Sequence, residues 1–221
     1  FVIANVENVA SGMGITQKDF QILDHMKIDV MTMGNHTWGK KDIFSFIDNP
    51  KLLRPANYSK GIPGHGYNIY ENIAVISLIG RTAMNVLSEN PFIVVDEILG
   101  EIKNKTDMVF VDFHAEATAE KIAMKYYLDG RVTGIFGTHT HVQTADEEDT
   151  KRGTGYITDL GMTGPKYSVI GMDTDASIKR FVTTLPERYK LANGKAFLNG
   201  CVFEVNDENC RTKDIYRISI D

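Results

Sequence analysis

Several short apolar segments of the chain are each followed directly by a polar side chain that can bind a metal ion. These side chains are Glu7, Asn35 and its neighbour His36, His114, and the pair His139 and His141. In open α/β sheets the carboxyl ends of the strands form one edge, and ligands bind outside that edge. We therefore expect these residues, although distant in sequence, to converge in space.

Imidazole, carboxylate and amide groups together form a mixed nitrogen and oxygen ligand set, suited to zinc, iron, manganese or nickel. His139 and His141 are two positions apart, so both can point to the same side of an extended backbone. No thiolate belongs to the set, which disfavours a structural zinc site. Two metal ions about 3.5 to 4 Å apart are a common device for phosphoester hydrolysis. The set therefore predicts a metal site.

Other reactive residue types are given structural interpretations. His25, in a helical pattern, and His65, in a Pro-Gly loop, are interpreted as hydrogen-bonded residues outside the site. Cys201 and Cys210 lack CxxC spacing, and we interpret them as free thiols of a reducing cytoplasm. A hairpin disulfide between them is the alternative.

The elements that must position the site follow from the hydrophobic pattern. Apolar runs predict strands at residues 1–4, 30–33, 67–79 (two antiparallel strands), 108–113, 132–136, 156–157, 195–205 and 214–220. Helical patterns cover residues 15–26, 40–47, 92–103, 116–128 and 177–184, the first beginning at an N-cap pattern. No linker divides them, so we expect one α/β domain over residues 1–221.

The composition limits the function classes. The chain has 221 residues, 43% of them hydrophobic, and a formal net charge of -5. This is enough apolar material for a core and excludes a disordered chain or a disulfide-stapled miniprotein. The acidic balance argues against direct nucleic-acid binding through a basic surface. No apolar run approaches the length of a membrane span, and we expect a cytoplasmic protein without membrane contact.

Longer motifs around these residues resemble the calcineurin-like metallophosphoesterases, which carry Gly-Asn-His and Gly-x-His-x-His motifs in this order with a single histidine between them. Several segments resemble one branch, the bacterial YmdB-like phosphodiesterases. These segments are residues 5–8 (NVEN), 34–38 (GNHTW), 53–58 (LRPANY), 112–118 (DFHAEAT), 137–146 (GTHTHVQTAD) and 159–165 (DLGMTGP). The resemblance covers essentially the whole chain.

The resemblance implies an α/β/β/α sandwich of two central mixed sheets flanked by helices. It also implies two metal ions, divalent or mixed-valence, with iron or manganese favoured over zinc or magnesium. The implied roles are Glu7 as bridging carboxylate, Asn35, His114 and His139 as ligands of one ion, His141 as ligand of the other, and His36 as general acid.

The chain departs from the family pattern in two places. Family members begin with a strand that ends in an Asp ligand, and this sequence has no such segment. We expect the first βα unit, roughly 30 residues, to be absent and the domain to be N-terminally incomplete. In addition, Val6 stands where the family usually has glycine, so the backbone beside Glu7 is less free to approach the metal ions.

The function that the resemblance implies is a metal-dependent phosphodiesterase acting on small phosphodiesters such as 2′,3′- or 3′,5′-cyclic nucleotides. A hydroxide activated by the dinuclear centre would attack phosphorus, and His36 would protonate the leaving oxygen. The alternatives are a regulatory scaffold that acts through protein partners, and a phosphomonoesterase or protein phosphatase on the same centre. A scaffold would not need His36. Family precedent favours a homo-oligomer.

Residues near the motifs receive weaker assignments. Arg54 is interpreted either as a phosphate contact or as an ion-pair anchor. Trp38 is expected to pack beside the site rather than stack on a base. Thr140 and Gly164 are expected to line the site through backbone groups. Asp112 is placed on the strand face opposite His114 and is expected to have no supporting role.

Overall fold

A computed structural model describes all of residues 1–221. The strands are β1 (Ile3–Asn5), β2 (Val30–Thr32), β3 (Leu52–Leu53), β4 (Tyr67–Tyr70), β5 (Ile73–Ile79), β6 (Met108–His114), β7 (Gly134–Thr138), β8 (Glu148–Asp149), β9 (Gly155–Ile157), β10 (Gly164–Pro165), β11 (Ala196–Asn206) and β12 (Arg211–Ile220). The helices are α1 (Gln17–His25), α2 (Pro91–Ile102), α3 (Thr118–Leu128) and α4 (Thr174–Thr183), and a 3-10 helix covers Lys41–Ser45. No helix is both long and apolar enough to cross a membrane.

The strands form three sheets. The first, in the order β1-β2-β3, is parallel. The second has six strands in the order β4-β5-β6-β7-β9-β8, with parallel central strands and antiparallel edge strands. The third is the antiparallel β11–β12 hairpin with β10 at its side. We predicted two mixed sheets, and only the six-stranded sheet is mixed.

The central strands of the six-stranded sheet are buried on both faces, which explains their nearly continuous apolar sequences. On one face, alternate residues of β5, β6 and β7 pack against α2 and α3. On the other face, Phe110 and Phe136 pack against Phe203 of β11 and Ile3 of β1. α1 and the 3-10 helix cover the far side of the first sheet. Helices therefore cover one face of the six-stranded sheet and the far side of the first sheet.

Local sequence signals fix several of these boundaries. The Thr16 hydroxyl caps α1 by accepting a hydrogen bond from the backbone of Asp19, whose carboxylate in turn accepts from the Thr16 backbone. Gly130, with a φ of 78°, lies just beyond the end of α3, where glycine is favoured. Both cysteines are free. Cys201 lies opposite Arg217 in the hairpin, which disagrees with a disulfide to Cys210.

The predicted strand at residues 132–136 is shifted by two positions in the structure, where β7 ends at Thr138. The end of β7 therefore lies beside the end of β6, with Thr138 paired with His114. In the first sheet, β1 and β2 also run parallel and end next to each other, where Asn5 pairs with Thr32. The segments that follow these four strands carry the candidate site.

Candidate metal centre

Four of the predicted ligands, Glu7, Asn35, His114 and His139, form a compact group that we call the inner half of the centre. His114 Nε2 lies 2.9 Å from Asn35 Oδ1, 3.0 Å from His139 Nδ1 and 3.2 Å from Glu7 Oε1. The ligand atoms of Glu7, His114 and His139 all lie within 4.8 Å of one another. Four potential ligand atoms therefore point at one small volume.

The charge states of this group suit metal binding. Burial would raise the pKa of Glu7, but the charge of His114 and the hydrogen bonds from His114 and the His36 backbone lower it to about 2. Burial and the charge of His114 lower the pKa of His139 to about 4. At neutral pH the group thus offers an ionised carboxylate and a neutral imidazole, the ligand forms that metal binding requires.

A hydrogen-bonded chain behind His114 fixes which of its ring nitrogens faces the group. The Thr138 hydroxyl lies 2.9 Å from His114 Nδ1 and donates to Asp112 Oδ1 at 2.7 Å. Since that hydroxyl proton is used on Asp112, Nδ1–H must donate to Thr138. Nε2, which faces Glu7 and Asn35, is therefore the nitrogen that would bind a metal ion once its proton is released, the usual arrangement of a metal-binding histidine.

Asp112 therefore supports the site, and our expectation that it would not was wrong. It stands two residues before His114 in β6, and side chains two apart in a strand share a face. Asp112 is fully buried and also accepts hydrogen bonds from Thr32 at 2.5 Å and Asn5 at 3.0 Å. Burial raises its pKa, while the charge of His114 and these hydrogen bonds lower it. The two-residue period of a strand was the sequence signal that could have placed Asp112 on the face of His114.

The remaining predicted residues, His36 and His141, lie beside the inner half together with Asn8. We call these three residues the outer half. Asn8 Oδ1 accepts from His36 Nδ1 at 2.8 Å, and Asn8 Nδ2 lies 3.1 Å from His141 Nε2 and 3.4 Å from Glu7 Oε1. One amide thus links both histidines to the carboxylate.

Asn8 is the member of this group that the sequence analysis did not single out. It belongs to the motif around Glu7, and the structure shows that its side-chain amide connects Glu7, His36 and His141. His141 is oriented from the opposite side, because its Nδ1–H donates to the carbonyl of Ile170 at 3.1 Å. Nε2 therefore faces Asn8 with its lone pair.

The backbone around the centre is unusually close or strained. A Cβ on Gly34 would lie 2.3 Å from the His114 ring and 2.4 Å from Glu7 Oε2, so only glycine fits there. His139 and His141 have φ values of 108° and 67°, which non-glycine residues seldom adopt. Strain of this kind persists where the surroundings over-determine it and clusters at functional sites.

Val6, the substitution for the family glycine, does not obstruct the centre. Its side chain is buried in the cluster that includes Phe20 and Met31, away from the ligand atoms of Glu7. The backbone N–H of Thr140 donates to Asp159 at 3.0 Å, behind the loop, and does not face the ligand group as predicted.

Three further residues have roles outside the ligand group. Arg54 is not an ion-pair anchor: its guanidinium donates to the carbonyls of Pro55, Ile62 and Pro63, and burial lowers its pKa. His25 and His65 lie on the surface and contact backbone carbonyls, in agreement with their structural interpretation.

Trp38 lies at the surface beside this region. Its ring stacks on Phe44 with centroids 5.3 Å apart and contacts Tyr58 at 6.2 Å. Tyr58 in turn donates its hydroxyl to the carbonyl of Gly34. Burial and the charge of Glu7 raise the pKa of Tyr58 to about 12, so that hydroxyl stays protonated. The structure therefore shows Trp38 packed on aromatic neighbours, and one third of it remains exposed.

The donor set fits a divalent transition metal ion. The inner half supplies two imidazole nitrogens, a carboxylate oxygen and an amide oxygen. The second ring nitrogens of His114 and His139 contact Thr138 and Glu116, respectively. For His139, Nε2 lies 3.1 Å from Glu116, which leaves Nδ1 for the metal. At the outer side His141 supplies a further imidazole nitrogen, and the amide nitrogen of Asn8 lies 3.1 Å from it and 3.4 Å from Glu7 Oε1.

The sequence model of the family described as YmdB-like protein matches residues 1–218. The chain belongs to the YmdB-like family. It is 48% identical, over 225 residues, to the 2′,3′-cyclic-nucleotide 2′-phosphodiesterase of Bacillus subtilis (strain 168). That alignment covers 100% of this chain and 85% of the relative.

Solved structures of similar proteins support the same conclusion for this YmdB-like chain. A phosphatase from Mycoplasma pneumoniae superposes with a TM-score of 0.93 at 37% identity, covering 100% of this chain and 82% of that one. A hypothetical protein from Thermus thermophilus superposes with a TM-score of 0.91 at 37% identity, covering 99% of this chain and 86% of that one. The YmdB-like chain is therefore a hydrolase with phosphodiesterase or phosphatase function.

Proposed function

We propose that this YmdB-like protein hydrolyses small phosphodiesters, with 2′,3′- or 3′,5′-cyclic nucleotides as the substrate class, at a dinuclear metal centre. The convergence of Glu7, Asn35 and His139 on His114 Nε2, within 3.2 Å, is the observation that carries the proposal. The relative named a 2′,3′-cyclic-nucleotide 2′-phosphodiesterase supports the substrate class.

In this proposal Asn35, His114 and His139 would hold one ion, His141 would hold the other, and Glu7 would be the carboxylate that the two ions share. Iron or manganese suits these ligands best, and zinc or magnesium is the alternative. When bound, the ions supply positive charge to the phosphoryl oxygens and activate the attacking water. Residues 1–221 would belong to one metallophosphoesterase domain, since the first and second sheets share a core cluster.

His36 is the proton donor to the leaving oxygen. Its Nδ1 is fixed by Asn8, its backbone N–H donates to Glu7 at 3.1 Å, and its ring is about 30% exposed. The ring is therefore held beside the ligand group while its other nitrogen remains accessible to a substrate. A positioned acid of this kind contributes roughly 10² to 10⁴-fold to the rate.

The test compares two leaving groups. Purified protein loaded with manganese is assayed on 2′,3′-cyclic AMP and on bis(p-nitrophenyl) phosphate. His36→Ala should lower kcat on the cyclic nucleotide by about 10² to 10⁴-fold. The loss should be much smaller on the chromogenic ester, because p-nitrophenolate leaves without protonation.

His65→Ala is the matched control, since it removes a surface histidine that contacts only a backbone carbonyl. Wild-type turnover of both substrates by His36→Ala contradicts the assigned acid. A panel that includes p-nitrophenyl phosphate and a phosphopeptide decides against a phosphomonoesterase or protein phosphatase if those substrates are turned over more slowly than the diesters.

A further inference from the structure

A fully buried ion pair lies directly behind the loop that carries His139 and His141. Lys121 of α3 and Asp159, after β9, are 2.7 Å apart from Nζ to Oδ2, and both side chains are about 1% exposed. No hydrogen bond or ion pair joins either residue to the side chain of a proposed ligand. The pair is therefore not part of the ligand group, and its purpose needs a separate explanation.

Both members of the pair also bind the backbone of this loop. Lys121 Nζ donates to the carbonyl of Thr138 at 2.8 Å, and Asp159 Oδ2 accepts from the N–H of Thr140 at 3.0 Å. These two backbone groups flank His139 on either side. The other carboxylate oxygen of Asp159 accepts from the N–H of Gly161 at 2.9 Å, which fixes the carboxylate itself.

The loop needs such support because its own conformation is unfavourable. His139 and His141 both have positive φ values, a conformation that residues other than glycine seldom adopt. Close packing limits the alternatives: a Cβ on Gly137 would lie 1.7 Å from the carbonyl oxygen of Thr158. The loop is thus held on one side by the segment before Asp159 and on the other by α3.

Stability alone does not account for the pair. A buried ion pair is weak evidence for a stabilising role, because the desolvation of two charges offsets their attraction. One helical turn further along α3, Lys125 forms a pair of the same length with Glu148, 2.7 Å from Nζ to Oε1. That pair is partly exposed and makes no contact with the histidine loop, so the same helix offers an internal comparison.

We propose that Lys121 and Asp159 are positioning residues that hold the backbone from Thr138 to Thr140 so that His139 and His141 are aimed at the metal ions. The inference rests on the metal centre of the proposed function, but not on the substrate. Its consequence is that metal affinity depends on two buried charges that never touch a ligand.

The test replaces the pair by apolar side chains of similar volume, in Lys121→Met/Asp159→Leu, so that no buried charge is left alone. The matched control is Lys125→Met/Glu148→Leu. Manganese affinity is measured by competition with a chelator, thermal unfolding is followed without metal, and amide hydrogen exchange is followed at Thr140.

The Lys121→Met/Asp159→Leu variant should bind manganese about 10- to 100-fold more weakly than wild type, as loss of a supporting partner does at other metal sites. The Thr140 amide should lose its protection, kcat on bis(p-nitrophenyl) phosphate should fall more than KM rises, and the metal-free unfolding temperature should match that of the control. The control variant should bind manganese as wild type does.

Wild-type manganese affinity in a folded Lys121→Met/Asp159→Leu variant overturns the positioning role. If this variant does not fold, Asp159→Asn, which keeps an acceptor for Thr140, is measured in the same way and with the same criterion. A wild type that binds manganese but hydrolyses no phosphoester overturns the proposed function and leaves the affinity comparison valid. A wild type that binds no manganese overturns both.

Discussion

The inner and outer halves of the candidate centre are built in different ways. In the inner half, His114 is the last residue of a central strand, and its side chain is about 1% exposed. In the outer half, His36 is about 30% exposed and His141 lies in a loop after β7. One half is thus anchored in the sheet and the other is presented at its edge.

The supports of the two halves differ in the same way. His114 is held by side-chain hydrogen bonds that run through Thr138 to the buried Asp112. His141 is held by a backbone carbonyl, that of Ile170, in a tight turn outside the sheets. We infer that the inner half determines stability and the affinity for the first ion, whereas the outer half determines proton transfer and can be changed at little cost in folding.

The largest expected difference is between His114→Ala and His141→Ala without metal. Removing His114 leaves the carboxylate of Glu7 buried without its main partner, which costs about 3–5 kcal/mol of unfolding free energy. Removing the partly exposed His141 costs about 1 kcal/mol or less. Urea denaturation of the two variants measures this, and equal losses would remove the distinction between the halves.

The second prediction concerns the pH dependence of the metal-free protein. The pKa of Glu7 falls from 4.5 to about 2 on folding, so its charge stabilises the folded chain above pH 4.5 and this contribution is lost as the pH falls toward 2. The contribution is about 3 kcal/mol, and more than half of it is lost by about pH 3.

Glu7→Gln should therefore lose less unfolding free energy than wild type between pH 5 and pH 3, as measured by urea titrations at both values. Glu97→Gln, at an exposed surface pair, serves as the control and should follow wild type. A wild type whose stability is flat over this range would show that Glu7 is not held as an ionised partner of His114.

The third prediction concerns the support behind His114. Asp112→Asn weakens the hydrogen-bonded chain and should lower manganese affinity about 10- to 100-fold. Asp146→Asn is the matched control, because Asp146 also accepts from a threonine hydroxyl, that of Thr158, but has no histidine behind it. Chelator competition gives both affinities. An Asp112→Asn variant with the affinity of the control would contradict the role assigned to this carboxylate.

The inner half could largely be predicted from the sequence because its ligands lie at or after the ends of buried strands. Strand ends can be located from apolar runs, and parallel strands bring their carboxyl ends to one edge. Glu7, Asn35 and His114 were found in this way. Asp112 could have been found too, since the two-residue period of a strand puts it on the face of His114.

The outer half, and the residues that support the loop carrying His139 and His141, were much harder to predict from the sequence. The carbonyl of Ile170 carries no side-chain signal, and the contact from Ile170 to His141 spans 29 residues. Lys121 appears in the sequence as one more basic residue of an amphipathic helix, and its burial depends on β9 and the segment after it. The pairing of β10 with β11 likewise joins segments that are distant in the sequence, and no local pattern encodes it.

The smallest expected effect concerns the turn that supports His141. Ile170 has a φ of 47°, and Gly171 follows with a φ of 100°. A β-branched residue in this conformation is strained, whereas asparagine adopts it readily. Ile170→Asn keeps the carbonyl that accepts from His141, so it should raise the unfolding free energy by about 1 kcal/mol and leave kcat within a few-fold of wild type.

Urea denaturation and turnover of 2′,3′-cyclic AMP check this prediction, with Ile178→Asn on the exposed face of α4 as the control for a general effect of the polar substitution. A gain in stability with retained activity shows that the outer half uses only the carbonyl and that the isoleucine side chain is dispensable for it. A large loss of activity instead shows that the exposed side chain of Ile170 itself takes part at the substrate side, and the outer half then depends on side chains as the inner half does.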